Sequence, residues 1–175
     1  MSMKQQSGFT LIEVLVATLV LTVGILGVAA MQMVSFQTNQ SAYARSQAVY
    51  LAQDIFDRMR ANPAGYRSTT VYNSVDTTDT STIPGDPSCV TTNGGCSPQQ
   101  MGQQDLREWA DAFYNVTSRD EYRPRLPNGS ASLDRIGTTD EFEVIVSWDD
   151  RDFDTEGNLT RSMVTRSVTI RAMMN

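Results

Sequence analysis

Histidine is absent from this 175-residue chain, which also has one lysine and only two cysteines. Without histidine, the chain lacks the commonest general base and the commonest metal ligand of proteins. It also contains no glycine-rich phosphate loop and no G-x-S-x-G motif. We therefore predict that the chain is not an enzyme and has neither catalytic residues nor a cofactor.

Positive charge is scarce as well, since the formal net charge at neutral pH is -6. No basic stripe is available to displace counterions from phosphates, so we expect no nucleic-acid partner. The one lysine, Lys4, precedes the longest apolar run. This polarity predicts a cytoplasmic N-terminus and an acidic body on the other side of a membrane.

The apolar run from Val14 to Met31 has eighteen positions without an ionisable side chain, which is long enough to span a bilayer. One acid, Glu13, lies at its start, and a carboxylate in hydrocarbon costs roughly 2.5–3.5 kcal/mol or more. A conventional signal peptide, cleaved after Ala30, would have a shorter apolar core without an acid. A plain uncleaved anchor would leave Glu13 unexplained.

Helical periodicity continues beyond the apolar run. Small and apolar residues recur every three or four positions on one face: Ala44, Ala48, Leu51, Ile55 and Met59. Asn62–Pro63 then ends the pattern. The sequence thus predicts one helix from Phe9 to about Ala61, on the order of 75 Å long. Its apolar half cannot be hidden within one small domain, so we expect it to protrude.

The residues after this helix begin with a polar stretch. Residues 67–98 are rich in threonine and serine and are expected to form a loop with little regular structure. Beyond them, the spacing of Leu106, Trp109 and Phe113 predicts a short amphipathic helix over residues 103–114.

Three strands are predicted after that helix. The stretch "EFEVIVSWDD" alternates apolar and polar residues, with Phe142 and Val144 on the buried side. A second strand is expected over residues 161–172, and a short edge strand over residues 133–136. Together these elements predict a small antiparallel sheet packed against helical surfaces, an α+β arrangement.

Two cysteines, Cys89 and Cys96, flank the segment "VTTNGG". In an exported domain, so close a pair indicates a local disulfide, whereas in a cytosolic protein it would be two free thiols. The predicted export favours the disulfide.

An acidic run, "WDDRDFDTEGN", brings together Asp149, Asp150, Asp152, Asp154 and Glu156. Acids at alternate positions can ligate calcium, but the EF-hand pattern fails here. Thr155 occupies its glycine position and Arg161 stands where the bidentate glutamate belongs. We assign no metal ligand to this run; a solvated hairpin turn and a calcium site both stay open.

The hexapeptide Gly8–Phe9–Thr10–Leu11–Ile12–Glu13, joined to an uninterrupted apolar run, resembles the processing signal of type IV prepilins and type II secretion pseudopilins. The resemblance covers residues 1 to about 62. Several later stretches resemble, more narrowly, PilV-type minor pilins (type IV pilus modification proteins): "RMRANPAGY", the cysteine pair ahead of "DLREW", "RLPNG" and "FEVIVSWDD".

This resemblance implies a leader peptide over residues 1–8, removed by the prepilin peptidase after Gly8, and N-methylation of the new first residue, Phe9. It implies a membrane-inserted or filament-core half-helix over residues 9–34. It also implies a periplasmic pilin head over residues 35–175, so that the whole has the pilin fold.

Glu13, fifth in the mature chain, matches the glutamate of this family. Cleavage would free a positive amine at Phe9, and we expect pairing of such an amine with a glutamate to set the stagger of neighbouring helices. Ala30 stands where major pilins usually have a helix-kinking proline. Gly24 and Gly27 are then the remaining weak points of the helix, unless they serve close helix packing in the membrane.

The implied function is that of a minor pilin, which primes or caps a type IV pilus. Its expected partners are the prepilin peptidase, membrane lipid before assembly, the inner-membrane assembly machinery, the major pilin and other minor pilins. Its expected location is the inner membrane, with a periplasmic head, and then the pilus tip at the cell surface, with roles in twitching motility and cell adhesion. The alternatives are a type II secretion pseudopilin and a pilin-anchored adhesive or ligand-binding module that uses residues 67–98.

Processing after Gly8 predicts a mature chain that begins at Phe9 with a methylated amine. Mass spectrometry or Edman degradation of protein purified from its native membrane will show this N-terminus. Expression in a host without a prepilin peptidase provides the control and leaves the leader intact. A different first residue, or an intact leader in functional material, would contradict the assignment.

Overall fold

The computed structural model describes residues 8–68, 70–91, 94–152 and 162–174. In chain order its elements are α1 (Leu11–Ala61), α2 (Pro63–Ser68), β1 (Val75–Asp76), a 3₁₀ turn (Thr80–Thr82), α3 (Pro98–Ala110), β2 (Ser130–Arg135), β3 (Glu141–Asp152) and β4 (Ser162–Met173). The strands form one sheet in the order β1-β2-β3-β4, with every neighbouring pair antiparallel. The α+β prediction is therefore confirmed. The chain divides into two compact units, Met1–Gln40 and Ser41–Asn175.

Helix α1 is a single helix of 51 residues that ends at Ala61, where the asparagine–proline pair predicted its end. The predicted stripe is confirmed, because all five of its members are buried in the head: Ala44, Ala48, Leu51, Ile55 and Met59. The two alanines are as important for packing against this face of the helix as the larger residues are. Their short side chains allow other elements to approach the helix closely, and the rest of the core fills the space around them.

The part of α1 within the head lies along the sheet. At one end, the Ser41 hydroxyl donates a hydrogen bond to the Asp150 carboxylate, with an oxygen–oxygen distance of 2.8 Å. Beyond the other end, the rings of Tyr66 and Phe142 meet edge to face with centroids 6.3 Å apart. Residues 41–61 thus run antiparallel to β3. The side chains that β3 turns toward the core are buried, as its alternation predicted: Phe142, Val144, Val146 and Trp148.

Helix α3 begins earlier than predicted, at Pro98, and ends at Ala110 rather than near residue 114. Its start is a capping box, in which the Ser97 hydroxyl accepts from the Gln100 N–H and the Gln100 side chain accepts from the Ser97 N–H. Proline at the first helical position adds to this start. These capping residues were visible in the sequence, but the apolar spacing alone placed the helix about one turn too late.

The "ANPAGY" stretch connects α1 to the rest of the head through Asn62, which is buried. Its side-chain amide donates to the Pro98 carbonyl (2.7 Å) and to the Tyr72 hydroxyl (3.1 Å), and the Tyr72 hydroxyl donates to the Asp105 carboxylate (2.6 Å). Burial raises the pKa of both Tyr72 and Asp105. A side chain at residue 65 would collide with Asn62, which explains the glycine there.

Residues 67–98 have more structure than predicted, because they contain the end of α2, strand β1 and the 3₁₀ turn. Their aspartates organise the backbone locally: the Asp79 carboxylate accepts from the Ser81 N–H at 3.0 Å and caps the 3₁₀ turn. Tyr72 and Val75 are buried in the core. This stretch is therefore an ordered part of the head over its described residues, not a simple loop.

The predicted edge strand over residues 133–136 is longer and lies inside the sheet. Strand β2 covers Ser130–Arg135, and its Leu133 pairs with Val75 of the two-residue strand β1. Strand β1 therefore forms the edge of the sheet, and the edge position predicted for β2 was wrong. A strand of two residues leaves no periodicity in the sequence from which it could be predicted. Strand β4 agrees with the prediction to one residue at its described end.

Two buried tryptophans form a matched pair for testing the helix–helix contact. The Trp109 indole N–H donates to the Leu51 carbonyl of α1 at 2.8 Å, whereas the Trp148 indole N–H has no partner in the described part of the chain. We expect Trp109→Phe to lower the free energy of unfolding by about 1 kcal/mol more than Trp148→Phe, because only the first loses a hydrogen bond. Urea unfolding of the full chain in detergent measures both. Equal losses would contradict the role of this bond.

Candidate processing and assembly site

The segment that carries the processing motif ends in a helix cap. Gly8, Phe9 and Thr10 precede α1 and are exposed. The Thr10 carbonyl accepts from the Glu13 N–H at 3.1 Å, and its hydroxyl lies 3.4 Å from the same nitrogen. Thr10 therefore caps α1, and Thr-x-x-Glu is the order of a capping box. The sequence reasoning missed this role of Thr10, although the pattern was present.

Glu13 lies in the first turn of α1. The first four backbone N–H groups of a helix have no partner within it, and they give that end a partial positive charge. A carboxylate in the first turn is stabilised by this charge. Glu13 thus favours the start of α1 in addition to the assembly role expected from the resemblance.

The first half of α1 is apolar and has no cover. Every residue from Leu11 to Phe36 is exposed, and the most apolar 18-residue window has a mean hydropathy of 2.5 with none of it buried. Within the described residues, α1 is the helix that is long and apolar enough to cross a membrane. The hydroxyls of Thr18 and Thr22 donate to carbonyls one turn back, at 2.9 and 2.7 Å. These bonds lower the cost of placing both residues in hydrocarbon.

Helix α1 continues through Gly24 and Gly27 without interruption. Apart from the backbone of its own helical turns, a Cβ atom added at either residue would meet no atom of the described residues within 4 Å. Packing within this chain therefore does not require either glycine. Both interpretations of these glycines therefore remain: a weak point in the helix, or a close contact with the helix of another protein chain.

Cys89 and Cys96 form a disulfide with their Cα atoms 5.0 Å apart, as predicted. Cys89 is buried, and Cys96 directly precedes Ser97, the residue that caps α3. The bond thus restrains the chain just before α3 begins. Because the closed loop is short, we expect its stabilisation to lie near the lower end of the usual ~2–4 kcal/mol.

The acidic run lies partly outside the described residues, since Asp154 and Glu156 belong to the stretch 153–161. Asp149 and Asp150 lie in β3 and have partners within the chain. Asp150 accepts from Ser41 and pairs with Arg166 at 3.2 Å, and Asp149 accepts from the Asn128 amide at 2.8 Å. No group of three or more metal-binding side chains lies together among the described residues.

Two family models match the chain. The model of the prokaryotic N-terminal methylation motif matches residues 3–29, and the Tt1218-like model, described as type IV pilin Tt1218, matches residues 30–107. No curated protein and no solved structure matched the chain.

Together the two matches run from before α1 into α3. With the capped, apolar helix and the α+β head, they define the class: this chain is a type IV prepilin-like protein. The longer of the two matches is to a type IV pilin, a family of structural and not enzymatic proteins. Its class implies processing by a prepilin peptidase, anchoring by the apolar helix and assembly by pilus machinery.

Proposed function

We propose that this chain is a minor pilin, which assembles with the major pilin and other minor pilins to prime or cap a type IV pilus after cleavage behind Gly8 and methylation of Phe9. The observation that carries the proposal is α1 itself. One helix offers a fully exposed apolar half with a single acid in its first turn, and continues into a folded head. The resemblance of the head to PilV-type pilins favours a minor over a major subunit.

The exposed half of α1 supplies the adhesion in this proposal. In the bilayer, lipid tails cover it. In a filament, neighbouring helices replace the lipid, so that close packing of side chains and small residues drives association. Apolar contacts of this kind have little preference for one axial stagger over another, so another interaction has to select the register.

Glu13 supplies that selection. The amine freed at Phe9 lies four residues before Glu13, which is about one helical turn. In a dry helix bundle, an unpaired charge is strongly unfavourable, and an amine–carboxylate pair offsets much of that cost. An assembly that misses the pairing buries two uncompensated charges. The carboxylate therefore penalises every stagger except one that joins it to the amine of a neighbouring subunit.

We expect Glu13→Ala to insert into the membrane normally but to be incorporated into pili at a small fraction of the wild-type level, since the variant keeps the apolar helix and loses the charge pair. Membrane fractionation measures the first property, and immunoblotting of sheared pili measures the second.

Asp134→Ala is the matched control, because it removes an exposed carboxylate from strand β2 of the head and leaves α1 intact. We expect this control to assemble as the wild type does. Wild-type incorporation of Glu13→Ala would refute the register mechanism. Failure of both variants would indicate a general loss of stability instead.

A type II secretion pseudopilin is the main alternative, because its N-terminus would be the same. Affinity capture of the full chain from solubilised native membranes separates the two. We expect the minor pilins of the pilus to be captured with it, and not pseudopilins. An unrelated inner-membrane protein carrying the same tag is the control. Recovery of secretion-system subunits alone would overturn the pilus assignment and favour the alternative.

An adhesive module that uses residues 67–98 is the other alternative. Four described residues of that stretch are buried in the head: Tyr72, Val75, Thr77 and Cys89. The stretch therefore contributes to the stability of the fold, and its deletion would not separate adhesion from folding. No described feature of it favours ligand binding over this structural role.

A further inference from the structure

A cleft of about 530 Å³ opens in the head between α1, the end of α3 and the segment that follows α3. Its volume lies in the range of sites that hold small ligands or a few residues of a peptide. We call it the arginine cleft, because four arginines line it together with three acids and two other residues: Arg58, Arg119, Arg123, Arg125, Glu108, Asp111, Glu121, Ala112 and Tyr122.

Two of the arginines are held by acids of the cleft. The Arg58 guanidinium bonds Glu108 at 2.7 Å and, behind it, Asp54 at 3.1 Å. Hydrogen bonding to Arg58 lowers the pKa of Glu108, so this pair stays charged in mildly acidic solution. Arg119 forms an ion pair with Asp111. Two of the acids are thereby neutralised.

The other two arginines, Arg123 and Arg125, form no ion pair with any described residue. They are nevertheless not on a loose segment. Pro124 separates them, and the Arg125 N–H donates to the Ala112 carbonyl at the end of α3, at 3.1 Å. Glu121 is the remaining acid of the lining. Unpaired positive charge is thus held at one place on a chain whose net charge is -6.

Tyr122 also lines the cleft and contributes a polar group, its hydroxyl. Its hydroxyl is buried and has no hydrogen-bond partner in the described part of the chain. Buried polar groups nearly always have a partner, so an exception requires a reason. A ligand that brings a hydrogen-bonding oxygen into the cleft would provide one after a small movement of the ring.

We propose that the arginine cleft binds an acidic peptide segment of a partner protein, with Arg123 and Arg125 pairing its carboxylates and Tyr122 hydrogen-bonding to it. Guanidinium groups match carboxylates in shape and bind them through two parallel hydrogen bonds. The mixed lining favours a peptide over a uniformly anionic polymer. Glu121 would repel a chain charged at every unit, whereas its carboxylate can accept a hydrogen bond from a peptide N–H group.

The test uses the full chain in neutral detergent micelles and a fluorescent peptide in which glutamate alternates with glycine, with binding followed by anisotropy. We expect the Arg123→Gln/Arg125→Gln variant to raise the dissociation constant by about tenfold or more, because charge-assisted hydrogen bonds are lost. The matched control is Arg45→Gln/Arg151→Gln. It removes the same charge from exposed arginines outside the cleft, so we expect wild-type binding. Equal weakening by the two variants would overturn the proposal in favour of nonspecific attraction.

Tyr122→Phe tests whether the cleft is a specific site or only a cluster of positive charge. The substitution changes no charge and removes a hydroxyl that has no partner in the described part of the chain. We expect weaker peptide binding with unchanged or increased stability of the fold. Wild-type binding by this variant would overturn the assignment of the hydroxyl.

Polygalacturonate is the competing probe. If it binds more tightly than the peptide through the same arginines, the ligand is an acidic polysaccharide and the peptide proposal is wrong. None of these outcomes depends on the pilus assignment.

Discussion

Exposed apolar side chains along the first half of α1 impose the main constraint on this molecule. Every residue from Leu11 to Phe36 is exposed, and most of them are aliphatic. Burial of one large apolar side chain stabilises by about 1.5–3 kcal/mol, and none of these finds cover within the described part of the chain. The helix therefore depends on an apolar environment from outside, which lipid or neighbouring helices can supply. In such an environment the charge of Glu13 becomes significant, because a carboxylate that water would solvate has to find a partner.

The same helix organises the head. Its second half presents alanines and larger apolar residues to β3 and α3, and Trp109 of α3 donates to the Leu51 carbonyl on it. Where the helix ends, Asn62 links it to Tyr72 and, through Tyr72, to Asp105 of α3. This buried network consists of polar groups that are costly if left unpaired, so it holds the end of α1 against the head in one arrangement.

How well each part could be predicted depends on how local its determinants are. The stripe from Ala44 to Met59 and the alternation of β3 were predicted correctly, because the residues of each buried face recur at a regular spacing along a single element. Helix α3 was placed too late because its start is set by capping at Ser97, which apolar spacing does not detect. Strand β2 was assigned to the sheet edge because its neighbour, Val75–Asp76, is too short to show any periodicity.

The sequence by itself determined the processing motif, the uncovered apolar helix and the nearby cysteine pair, because each depends on residues that are close in the chain. Only the tertiary structure decided which polar groups meet. The cleft brings Arg58 of α1 together with Arg123 and Arg125 across more than sixty positions of sequence. Such contacts follow from the packing of whole elements against one another, and no local pattern encodes where two distant surfaces will touch.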